Sequence, residues 1–148
     1  MTTSDDTISR YLTRYADSLT AFDAETAASL WSTPGTIVND RSSGVLESRD
    51  AMIDGLRHSY PIYQRLGLAS VGFELLERRD LSDRLVLVRV RWLFFDAGGV
   101  QLTDTDSYYL LRDEDEEGLQ ACVCVETDAA QKLQALATER GVDLTAAP

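Results

Sequence analysis

The chain has 148 residues, with 25 acidic against 14 basic side chains and a formal charge of −11. That length fits one domain around a single sizeable core. The charge excludes a nucleic-acid partner, whose phosphates need a basic face, and disfavours binding to anionic membranes. No apolar run reaches spanning length and the first residues carry no basic, apolar leader, so a cytoplasmic protein is the expectation.

From Ile8 to Phe22 the apolar residues Ile8, Tyr11, Leu12, Tyr15, Ala16, Leu19 and Phe22 recur in steps of three and four, the stripe of one helix. Asp23 stands where a second helix is capped, with Ala27, Leu30 and Trp31 turned inward and Pro34-Gly35 as its stop. Thr36 to Asp40 reads as a short strand, and Arg41-Ser-Ser-Gly as a turn. Ser48 caps a third helix, which Pro61 is expected to kink or break near His58–Tyr60 and Gly67 to close.

Beyond Gly67 the period falls to two. Segments 68–79, 84–95, 100–112 and 119–126 read as four strands joined by short turns, hence an antiparallel meander. Asp128-Ala-Ala-Gln suits a capping box for a last helix that Gly141 ends and that is placed to cap a pocket mouth. The order implies an α+β domain over residues 1–126, N-terminal helices closing the concave face of a curved sheet, with an added helix and tail over 127–148.

The stretch Arg14-Tyr15-Ala-Asp-Ser-Leu-Thr-Ala-Phe-Asp23, the pair Leu30-Trp31 and the strand Thr36-Ile-Val-Asn-Asp40 resemble the NTF2-like superfamily, whose cone-shaped α+β barrels (a cystatin-like fold) include SnoaL-like cyclases and ketosteroid isomerases. The resemblance implies a pocket between the helices and the sheet. It maps the isomerase's three polar groups onto Tyr15, Asp40 and Asp106, with Tyr11, Trp31, Tyr60, Arg89 and Tyr108 lining the pocket, and implies no cofactor or metal. In such a site an aspartate removes a proton beside a carbonyl while a phenol and a protonated acid hold the enolate oxygen, the ketosteroid isomerase example of the general principle. Strand parity supports Asp40, since an inward Val38 carries it inward. Asp40 also reads as an ordinary turn residue.

Two registers are open for the hairpin at Asp96-Ala-Gly-Gly: one sets Arg89 opposite Asp106, the other Arg91. In either, an arginine–aspartate ladder keeps Asp106 ionised, so it cannot act as the oxyanion acid. The Asp-Arg-Asp set of limonene epoxide hydrolase, on the same fold, matches poorly because here the acids lie across the hairpin. The ladder's face also carries Leu87, Leu93, Phe95, Leu102, Tyr108 and Leu110, which suits either a pocket or a homodimer through the outer sheet face. Cys122 and Cys124 read as reduced thiols on one strand, not as half a zinc site. Two functions therefore stand: a small-molecule binder with SnoaL-like proton transfer or hydration chemistry, and a non-catalytic dimerising or protein-binding module.

Overall fold

The computed structural model describes residues 3–144. In chain order they form α1 (Asp5–Thr20), α2 (Ala24–Ser29), β1 (Trp31–Val38), β2 (Ser43–Leu46), α3 (Arg49–Arg65), β3 (Ser70–Asp80), β4 (Leu85–Phe95), β5 (Gln101–Asp113), β6 (Leu119–Glu126) and α4 (Ala129–Arg140). The six strands make one curved mixed sheet in the order β2-β1-β6-β5-β4-β3. The four long strands are the expected meander, and β1 lies parallel to β6 beyond its end. Among the described residues no helix is long and apolar enough to cross a membrane.

The stripe of α1 behaves as its spacing requires. Ile8, Tyr11, Leu12, Tyr15 and Ala16 are all buried, and Ser4 caps the helix by accepting the Thr7 backbone N–H. They pack on the inner face of the sheet, against Val86, Val88, Val90 and Trp92 of β4 and Tyr109 and Leu111 of β5. The alternate residues of β4, from Leu87 to Phe95, are half-buried on the outer face.

Three local readings change. Pro34-Gly35 does not end α2 but lies inside β1, which begins at Trp31 and breaks register between Trp31 and Thr36. A proline is tolerated there because an irregular step in the ladder needs no N–H from it. Gly35 is required by its neighbour: a Cβ would come within 2.6 Å of the Trp31 ring. The expected turn at Arg41-Ser-Ser-Gly shrinks, because Ser43–Leu46 pairs with β1 as β2. Helix α3 passes through Pro61 without the expected break. Its last turn is held by packing instead, with Leu66 fully buried and set among Leu136, Ala137 and Leu133 of α4.

Helix α4 starts at Asp128 and ends at Gly141, whose φ of 69° is the left-handed turn expected of a terminal glycine. The capping box does not form. The Asp128 carboxylate instead accepts the backbone N–H of Asp106 at 2.8 Å, which ties the start of α4 to β5. Lys132 adds a salt bridge to Asp104 at 2.6 Å.

Candidate functional site

The sequence-derived site residues fall into three places. The first is the interior of the cone. Tyr11, Tyr15, Trp31, Trp92 and Tyr109 are all buried, and their rings lie in contact. The Tyr15 hydroxyl accepts the Trp31 indole N–H at 2.9 Å, and the Tyr109 hydroxyl accepts that of Trp92 at 3.0 Å. Tyr11 donates to the Leu30 carbonyl at 2.7 Å. Burial raises the Tyr15 phenol far above its ordinary value, so it stays neutral. Burial likewise pushes the Cys124 thiol up to about 12, which removes it as a nucleophile. Tyr60 is buried too, edge-on to Phe22, and its hydroxyl has no hydrogen-bond partner among the described residues. These polar groups mostly satisfy one another, as packed aromatic tips do.

The second place is the outer face. The hairpin adopts the register that sets Arg91 opposite Asp106, and the step between Phe94 and Phe95 leaves Leu102 unpaired. Asp106 accepts Arg89 Nη2 at 2.7 Å and Arg91 Nε at 3.3 Å, and Glu77 binds Arg89 at 3.2 Å. Burial works to raise the Asp106 carboxyl, but the bonds and charges of Arg89 and Arg91 outweigh it and hold the group below the usual aspartate value. Asp106 is therefore ionised at neutral pH, as the ladder implied. The Arg89 guanidinium lies 5.9 Å from the Tyr108 ring centre, on the side of the sheet away from Tyr15. Thus Asp106, Arg89 and Tyr108 are not brought to the cone interior, because odd and even positions of β4 and β5 face opposite ways.

The third place is a groove of about 900 Å³ at the end of the sheet where β1 and β6 both stop. The turn Asn39–Ser42 forms one wall, Glu126–Asp128 the floor, and the first turns of α4, including Ala130, Leu133 and Ala135, the other wall. Asp40 is here, exposed, and not beside Tyr15, which does not line this groove. The parity that would have turned it inward ends with β1 at Val38. Beyond that residue Asn39 folds the chain over, its side-chain carbonyl accepting the N–H groups of Arg41 and Ser42 at 2.9 and 3.0 Å.

Glu126 is the residue that sequence reasoning missed. It pairs across the sheet with buried Ser107, on the same face as Cys124, and is half-buried. With the Asn39 carbonyl engaged in its turn, the Asn39 amide is free to donate to the Glu126 carboxylate. Burial pushes that carboxyl above its ordinary value, and the Asn39 bond only partly opposes the rise. Its charge also reaches Tyr63 of α3, whose phenol is raised first by burial and then by Glu126. Among the described residues Glu126 belongs to none of the ion pairs, and Asp40, Glu126 and Asp128 are not gathered into a metal-holding cluster. The two-residue spacing from Cys124 is a usable signal, because the pairing runs in regular register from Tyr109–Cys124 to Ser107–Glu126.

The fold has close counterparts among solved structures. A cystatin-like domain of unknown function from Nostoc punctiforme superposes with a TM-score of 0.68 at 18% identity, covering 86% of this chain and 78% of that one. An NTF-2 like protein of unknown function from Shewanella oneidensis gives 0.66 at 14%, covering 83% and 98%. A ketosteroid isomerase-like protein from Erwinia carotovora atroseptica gives 0.61 at 14%, covering 84% and 97%. At these identities the likeness is one of fold. No curated protein matches the sequence. The model of one family, described as NTF2-like protein (DUF6841), matches residues 4–129, from the cap of α1 to the first residue of α4, and the chain belongs to that family.

Proposed function

We propose that this protein binds a small organic molecule in the groove between the Asn39–Ser42 turn, the end of β6 and α4, and that Tyr15, Asp40 and Asp106 do not act together as an isomerase site. The observation that carries the reading is the groove's volume, about 900 Å³, together with a half-buried carboxyl, Glu126, on its floor. That size is usual for a ligand site, and such sites combine apolar walls with a few placed polar groups. The cone interior supports the reading less well, since five aromatic rings already occupy its centre. Fluorine-observed NMR against a set of small fluorinated fragments tests it. Binders are expected to perturb the amides of Asn39, Thr127 and Ala130, and Ala130→Trp, which fills the groove from an exposed helix position, is expected to abolish binding without lowering the melting temperature. Fragments that bind the variant as well as the parent would overturn the reading.

One observation favours a second role, self-association through the outer face of the sheet. Leu87, Leu93, Phe95, Leu110 and Val123 are only half-buried there, and Val125 is exposed, flanking a charged strip of Arg89, Arg91 and Glu77. Such a face carries apolar area and both signs of charge, which a two-fold interface uses. Sedimentation equilibrium is expected to give twice the chain mass, reduced to one by Val125→Glu. A parent that sediments as a monomer at high micromolar concentration removes this role and leaves the groove reading intact.

A further inference from the structure

We infer that α4 is a lid over the groove, and that it opens by unseating and melting on its own while the sheet behind it stays folded. The melting needs nothing but the chain itself; what the lid closes on rests on the groove being a ligand site.

The packing of α4 sets it apart. Of its 12 residues only Leu136 and Ala137 are buried. They sit with Leu66, just beyond α3, in a small cluster that also takes in Leu133, Ile62 and Leu102. Among the described residues, none of α4 belongs to the larger core that joins α1 to the sheet. A helix seated in a cluster of its own can leave it without opening the main core, which is the condition for a separate folding unit.

The joints of the helix place its pivot. Thr127 donates its hydroxyl to the Asp106 carbonyl at 2.9 Å, and the Asp128 carboxylate accepts the Asp106 N–H at 2.8 Å. The chain just before α4 is thus pinned to both backbone groups of one β5 residue. Beyond that point the polar ties are sparse. Lys132, itself partly exposed, reaches Asp104 at 2.6 Å, and Arg140 lies over Gly67. With its carboxylate spent on Asp106, Asp128 caps none of the free N–H groups in the first turn of α4. An uncapped helix of 12 residues is marginal in water once its packed face is lost. Leaving the seat and losing the helical hydrogen bonds are therefore one event.

The face of α4 away from this seat forms the groove wall. Ala130, Gln134 and Thr138, spaced four apart and all exposed, line it. When α4 melts, the wall goes and the groove opens to solvent along its length. When it refolds, an occupant is enclosed between α4 and the Asn39–Ser42 turn. An apolar occupant that touches both walls favours the folded lid, because only that state binds it.

Amide hydrogen exchange on the full chain reads the event directly. The amides of residues 133–140 are expected to exchange at least about 100-fold faster than those of Val88 and Val90 in β4. Leu136→Ala, which empties the seat, is expected to speed α4 exchange about ten-fold or more, up to complete loss of protection, with β4 unchanged. Lys132→Gln, a milder cut, is expected to give an acceleration of about two- to five-fold in α4 alone. Ala130→Trp sets a ring into the groove from the lid itself and is expected to slow α4 exchange about three-fold or more. Equal exchange in α4 and β4, or acceleration of both alike by Leu136→Ala or Lys132→Gln, overturns the separate unit. Unchanged or faster exchange in Ala130→Trp overturns the closing of the lid on an occupant. Failure of every fragment above to bind removes the ligand reading instead, and leaves the melting of α4 standing.

Discussion

Replacing Trp31 by alanine is expected to cost about 3–5 kcal/mol of folding stability, the usual range for emptying a buried tryptophan site. Trp31 is where three parts of the fold meet. It opens β1, its ring lies over Gly35 close to Met52 of α3, and its indole nitrogen donates to Tyr15 of α1. Few neighbours are free to collapse into the space, since the ring is enclosed by the inner face of the sheet and by Tyr109. For a chain of this size such a loss lowers the melting temperature on the order of 10 °C. Urea unfolding followed by circular dichroism measures it. A loss under about 1 kcal/mol would mean that the interior is loosely packed, and would return the cone centre to consideration as a binding cavity.

Tyr15→Phe is the second large effect, and it separates a packed phenol from a catalytic one. The ring stays and only the hydroxyl leaves, so the cavity term is small. What remains is the Trp31 N–H, buried without an acceptor, at a cost of about 1–3 kcal/mol. The expected result is a clear drop in stability with unchanged affinity for any ligand held in the groove, because Tyr15 does not line it. An isomerase-like phenol would give the opposite pattern, with stability kept and ligand binding or turnover lost. The variant is small enough to fold, so both quantities can be read on the same sample.

Much of the architecture was legible because single periodicities ran long enough to dominate. The α1 stripe names its buried face, and the alternation of β4 separates two faces without telling which one the helices cover; together with the short turns they imply helices on a meander. Failures came where two signals overlapped within a few residues. Pro34-Gly35 has the composition of a stop, yet pairing with β6 and the room Gly35 gives to Trp31 draw it into a strand. Strand β2 is four residues long and almost wholly exposed, so it carries no alternation to read. The site suffered for the same reason. Asp40 was judged by the parity of a strand that ends two residues earlier, while Asp106 has the inward-facing Ser107 for a neighbour and itself faces out. Glu126 had the right parity, but a lone acid at a strand end looks no different from a solvated one until the Asn39 turn is seen beside it.

Because β1 and β6 run side by side in the same direction, both chains leave the sheet at one edge of the cone. Had they been antiparallel, the two exits would have been a strand length apart. Here the segment after Val38 and the segment after Glu126 are forced to be neighbours whatever residues they contain. Neither segment supplies a side chain to the aromatic centre. Apart from Asn39, which folds the turn, and Asp128, which ties α4 to β5, their composition is free to drift without unsettling the scaffold, so members of this family are expected to differ most at that shared exit, while the layers behind it stay the same.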